Sequence, residues 1–148
     1  MLFRSTQVSR IARRFEDHSY DVVVTREPGG TAVGEEIRRL LMHAEASDNI
    51  TPEAELLLFA ASRAQLVREV IRPALDAGKV VLCDRFLDST TVYQGVGRQI
   101  AAEPVNMINT FAVGDNMPDV TVVIDIPAEV GMERVRHRVR EMLDRMEQ

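Results

Sequence analysis

Three observations predict an α/β fold, a parallel sheet with helices on both faces. Three short runs, 21–25, 80–83 and 120–125, are apolar or β-branched almost throughout instead of alternating, as strands buried on both faces are. The stretches between them repeat apolar residues at helical spacing. Helices placed between uniformly apolar strands are the crossovers that a parallel sheet requires.

Taken in order, Val8, Ile11, Ala12 and Phe15 fall on one side of a helix over 6–17. Asp21-Val22-Val23-Val24-Thr25 is the first strand, and Gly29-Gly30 break it from a helix over about 32–42. Thr51 suits a cap and Pro52 a first turn, so a long helix starts there and reaches about Ala77. Pro73, with no N–H to donate, is expected to bend or tighten its last turns. Val80-Val81-Leu82-Cys83 is the second strand, Ser89 to Gln94 a helical turn or more, and Pro104 to Val113 another helix. Val120-Thr121-Val122-Val123-Ile124-Asp125 reads as a third strand, and Pro127 starts a last helix to about Arg140. No repeat or linker interrupts the chain, and 148 residues suit one domain.

A composition of 45% hydrophobic and 28% charged residues is that of an ordinary globular protein. The net charge of -5 argues against nucleic acid as the main partner, so a phosphate would be met by local arginines. No apolar stretch reaches the roughly 18 residues of a membrane span, and the start is too short for a signal peptide. Cys83 is the only cysteine, which excludes an internal disulfide and fits a reducing cytoplasm. Lys79, the sole lysine, follows no GxxxxG and precedes no Ser or Thr, so it is not the lysine of a phosphate-binding P-loop. His18, His43 and His137 lack metal-ligand spacing.

Five constellations bear chemistry. Asp84-Arg85 ends the second strand, the edge where α/β sheets present ligands. Arg85 is a planar fork for phosphoryl oxygens, and Asp84 could hold a magnesium-bound water; the plain alternative is an ion pair closing a strand. Phe59 and Arg63 share a face of the long helix one turn apart, where a ring could stack on a base and a guanidinium donate to it. The alternative is a core ring and a surface charge, but an arginine inside so apolar a run needs a partner. Ser89, Thr90, Tyr93 and Gln94 bring hydroxyls and an amide within about one turn, suited either to reading a base or sugar or to an ordinary helix start. Thr25 to Thr31 is a strand-to-loop transition with Pro28 as a stiff wall, or else a plain turn. Arg134, Arg136, Arg138, Arg140 and Arg145 lie near the C-terminus, where 134/138 and 136/140 set like charges four apart, a repulsion that bound phosphates would offset; the plain alternative is a solvated helix face alternating with Glu133, Glu141 and Glu147.

TREPGGT, then FAASR, CDRF, DSTTVYQG, GR and PDVTVVIDIP, resembles bacterial thymidylate kinase in order and spacing along nearly the whole chain. The resemblance implies a P-loop NTPase-like nucleoside monophosphate kinase fold, phosphoryl transfer from ATP to dTMP giving dTDP, Mg2+, a cytoplasmic homodimer, and neither membrane nor nucleic acid as partner. It implies that Phe59 stacks on thymine and Arg63 meets its exocyclic oxygen. Thr90 and Gln94 lie along the base, Tyr93 is near the sugar, Ser89 is among the substrate-binding residues, and Pro28 lines the pocket. It places Arg85 on the dTMP phosphate, Asp84 in the magnesium shell, and Arg138, Arg140 and Arg145 in a lid over about 134–148.

Arg4-Ser5-Thr6-Gln7 matches only the last residues of the family's GxxGxGK[ST]TQ-like loop, which leaves Ser5 and Thr6 as its remnant. The chain is expected to be a fragment cut at both ends, without ATP binding or kinase activity by itself. Two other readings stay open: a catalytically dead nucleotide-binding or dimerisation module, and a kinase for another nucleoside monophosphate.

Overall fold

Parallel pairing of two strands organises the described part of the sheet. In this computed structural model, which describes residues 3–43, 49–98 and 100–146, β1 (Val22–Arg26) runs beside β2 (Val80–Asp84). The register sets Val22 beside Val80 and Arg26 beside Asp84, so both strands end level with one another. Helix α1 (Phe3–Glu16) packs on both strands and buries Ala12. Helix α2 (Ala32–His43) follows the glycine loop, and Thr31 caps it by accepting the Gly34 N–H at 2.9 Å.

The long helix begins where the sequence predicts. Thr51 accepts the Ala54 N–H at 3.4 Å, Pro52 occupies the first turn, and Glu53 and Glu55 sit near the positive end of the dipole in α3 (Pro52–Leu66). It continues through a wide, π-helical turn (Val67–Ile71) into α4 (Arg72–Asp76). Of the expectation that Pro73 bends or tightens these turns, the tightening is corrected: the helix widens, and the Arg72 N–H reaches back to the Val67 carbonyl. A proline ring crowds the carbonyl four residues before it, here Glu69, and a wider turn relieves that clash. Leu66, Val67 and Ile71 form the core under the sheet, with Val70, Val81, Cys83 and Phe86 packed against them.

Helix α5 (Leu87–Thr90) leads into a second π-helical stretch (Thr91–Val96), and α6 (Ala102–Val113) packs along α3. The described residues fall into two compact units, one up to Met117 and one from Pro118. In the second unit, the expected strand at 120–125 is not formed. Val120, Val122 and Val123 are exposed, outside any strand or helix, before α7 (Ala128–Met146). β-Branched residues suit a half-buried pleated surface, and without a neighbouring strand that preference produces no sheet.

Candidate functional site

The carboxyl ends of β1 and β2 open into a cavity of about 750 Å³ within the first unit. Arg26, Glu27 and Pro28 come from β1 and the loop after it, Asp84 and Arg85 from β2, and Arg38 and Met42 from α2. Helix α3 contributes Glu55, Phe59 and Arg63, and the segment after β2 contributes Ser89, Thr90, Tyr93, Gly97 and Arg98. Every residue expected to contact the acceptor nucleotide, except Gln94, whose side chain lies outside the described residues, therefore sits around one space.

Arg63 is the buried centre of this wall, 1% exposed. Its Nη2 donates to Glu27 Oε2 at 2.5 Å and to Thr90 Oγ1 at 2.9 Å, while Nε donates to both Glu27 oxygens at 2.9 and 3.1 Å. Its Nη1 donates to Asn109 Oδ1 on α6 at 2.7 Å. Of the five N–H groups a guanidinium carries, only the second Nη1–H has no partner among the described residues. The Phe86 ring lies 5.5 Å from the Arg63 guanidinium carbon. Burial pushes the Glu27 carboxyl above its ordinary value of 4.5, an effect that Arg63 opposes by charge and hydrogen bonding.

The loop from β1 is held by similar means. The Glu27–Pro28 peptide is cis, and the Gly29 N–H donates to the buried Ser62 Oγ at 3.1 Å. Gly30 has φ of +81°, and a Cβ there would stand 2.5 Å from Thr25 Oγ1 and 2.7 Å from Leu66 Cδ1, so only glycine fits. Glu35 accepts the Gly30 N–H at 2.9 Å and an Arg26 N–H at 2.8 Å, and these hold its carboxyl below 4.5.

Arg85 adopts φ of +76°, uncommon for a residue with a side chain, and its guanidinium lies 5.2 Å from the Tyr93 ring centroid. The Cys83 thiol donates to the Arg85 carbonyl at 3.0 Å, and burial pushes that thiol up, which disfavours the thiolate a nucleophile needs. Three of the cavity's arginines are paired: Arg26 with Glu35, Arg63 with Glu27 and Arg98 with Glu55. Among the described residues Arg38 and Arg85 make no ion pair, and Arg38 donates to the Pro28 carbonyl at 3.0 Å. Two guanidiniums are thus available to an anion beside a wall whose charge is already matched.

Thr6 lies on α1 beside Ser9, Arg10, Arg13, Arg14 and Asp17, at a separate depression, and the side chain of Ser5 lies outside the described residues. Arg140 is exposed on α7; the side chains of Arg138 and Arg145 lie outside the described residues. Sequence reasoning missed Glu27, Arg38, Met42, Glu55 and Asn109. Glu27 stood inside TREPGGT, and the arginine needing a partner in an apolar helix was the signal that pointed to it. Among the described residues no cluster of three or more His, Cys, Asp or Glu could hold a metal, and no helix is long and apolar enough to cross a membrane.

The family model for thymidylate kinase matches residues 4–148. The thymidylate kinase of Desulfosudis oleivorans is 48% identical over 136 residues, 92% of this chain and 63% of that protein. That of Pelobacter propionicus is 50% identical over 136 residues, covering 92% of this chain and 62% of its own length. The crystal structure of thymidylate kinase from Ehrlichia chaffeensis superimposes with a TM-score of 0.77 at 36% identity, over 96% of this chain and 75% of that one. The chain spans about 62–63% of the length of these two curated relatives.

Proposed function

The chain belongs to the thymidylate kinase family, and from that premise we propose that its cavity binds dTMP for phosphoryl transfer from ATP, giving dTDP. The observation that carries this reading is the division of charge around the cavity. Arg63 is matched by Glu27 and offers one spare N–H beside the Phe59 ring, which suits an uncharged base with a carbonyl. Arg85 and Arg38, without ion-pair partners among the described residues, suit the phosphate. Tyr93 stands beside Arg85, where its ring would flank the sugar next to the phosphate.

In the reaction, an oxygen of the dTMP phosphate attacks the γ-phosphorus of ATP, and ADP leaves. Such a transfer asks for alignment and charge neutralisation, with little covalent work by the protein. Arg85 neutralises and orients the acceptor phosphate; Arg138, Arg140 and Arg145 would serve the transferred group as a lid. Asp84 fits magnesium, which needs only one or two carboxylates besides waters and phosphate oxygens. When bound, the ion would neutralise phosphate charge. Homodimerisation belongs to the same proposal, supported by Leu57, Met107 and Phe111, exposed on the paired helices α3 and α6. So does a cytoplasmic location without nucleic acid as partner, for which the net charge of -5 and the single cysteine speak.

Calorimetric titration of the chain with dTMP, UMP, CMP and AMP, together with a coupled assay for ADP release, tests the reading. Preferential binding of dTMP is expected; no binding, or preference for CMP or AMP, refutes it. Binding of dTMP with no ADP release assigns this chain to nucleotide binding alone.

A further inference from the structure

Asn109 is the one polar side chain on the buried face of α6, in the company of Val105, Ala112 and Val113. At 4% exposed it occupies a position whose spacing calls for an apolar residue. A buried amide is costly unless paired. Its Oδ1 accepts from Arg63 Nη1 at 2.7 Å, and its Nδ2 approaches Thr91 Oγ1 at 3.5 Å. It does not line the cavity itself, so anything it does for a ligand goes through Arg63.

We propose that Asn109 is a positioning residue that sets the base specificity of the cavity by locking the plane of the Arg63 guanidinium. This rests on the reading of the cavity as a nucleoside monophosphate site. Glu27 holds the Nε and Nη2 edge, Thr90 the remaining Nη2–H, and Asn109 one Nη1–H. With all three in place, the only donor left is the second Nη1–H, and a guanidinium has no acceptor to exchange for it. A pyrimidine with a carbonyl at its 4-position satisfies that donor. One with an amino group there opposes donor to donor, and both stay unpaired in a desolvated site. Without Asn109 the Nη1 end is released on one side, and the guanidinium can turn to relieve the clash.

The test compares Asn109→Leu, which removes the acceptor at similar volume, with Asn109→Asp, which keeps a carbonyl oxygen for Arg63. Calorimetry on the full chain measures dTMP and dCMP. The unaltered chain is expected to favour dTMP, N109L to lose about tenfold of that ratio, and N109D to stay near the original value. A purely structural role would weaken both nucleotides alike and leave the ratio unmoved. An N109L ratio unchanged while dTMP still binds overturns the positioning role alone. Absence of dTMP binding by the unaltered chain overturns the cavity reading and this inference with it. Arginine-selective NMR gives a readout that needs no ligand: separate Nη signals for Arg63 are expected, collapsing in N109L and kept in N109D. Averaged signals in the unaltered chain overturn the lock. If N109L loses its cooperative urea transition, Asn109→Ala replaces it in both measurements, with the same expected and overturning results.

Discussion

Replacing Arg63 with methionine isolates the electrostatics of the buried pair. The two side chains are 1% and 3% exposed, so neither charge has water to fall back on. Burial already raises the Glu27 carboxyl above 4.5, and Arg63 is the group that pulls it down. R63M leaves a buried carboxylate without a counter-charge, a loss of about 3–5 kcal/mol at neutral pH. The sign with pH follows from proton uptake. A carboxyl raised in the folded state holds its proton to higher pH than the unfolded chain, so its contribution is full below 4.5 and is lost as pH rises through the folded value. R63M extends that window upward. Its penalty should therefore grow with pH between the folded value of the unaltered protein and the higher one of R63M, by up to about 1.4 kcal/mol per pH unit, and be larger near pH 7 than near pH 5. Urea unfolding at the two pH values measures it, provided the slope is unchanged. Adding Glu27→Gln should recover most of the pH-dependent part by removing the stranded charge. A penalty equal at both pH values, or no recovery in R63M/E27Q, would refute the reasoning.

Four further outcomes are expected. Glu35, held below 4.5 first by the Gly30 N–H and also by Arg26, lends stability that is full above 4.5 and lost as pH falls through its folded value, so Glu35→Gln should flatten the acid limb of a stability profile. Gly30→Ala should cost about 2 kcal/mol or more in urea unfolding, from its positive φ and the atoms that a Cβ would meet. The Cys83 thiol should resist alkylation in the folded protein near neutral pH and react once urea unfolds it. Phe111, 82% exposed on α6, should be tolerated as glutamate by the fold, and Phe111→Glu should shift light scattering from dimer towards monomer if the proposed homodimer forms.

What could be read in advance was local. The end of an apolar run put Asp84 and Arg85 at a sheet edge, and helical spacing put Phe59 and Arg63 on one face. An arginine among leucines announced that a partner existed but not which one, because Glu27 is 36 residues away in the chain and Asn109 is 46. Arg38, Met42 and Glu55 sit on helices where nothing in the local pattern separates a cavity wall from a solvated face. The run at 120–125 was misread because β-branching reports fitness for a sheet and not the presence of a neighbour. Pro73 marked a disturbance in the long helix, but whether a turn tightens or widens depends on what packs around it.

The geometry at the strand ends explains why Arg85 makes no ion pair among the described residues. Arg26 and Asp84 stand side by side in the ladder, and one further bond, Glu27 N–H to the Asp84 carbonyl at 3.2 Å, closes it. Beyond that point the two chains diverge. β1 continues into a glycine loop that is anchored at Ser62 and Glu35, and that loop delivers Glu27 inward to Arg63. β2 turns through a left-handed residue, at a cost of order 1–3 kcal/mol for a side chain other than glycine. That cost is offset locally, since the Cys83 thiol holds the Arg85 carbonyl and the Tyr93 ring faces its guanidinium. A glycine would have made the turn without strain but with no charge. An arginine in this conformation is kept where it can meet an anion, and the acid on the neighbouring loop is already committed to Arg63.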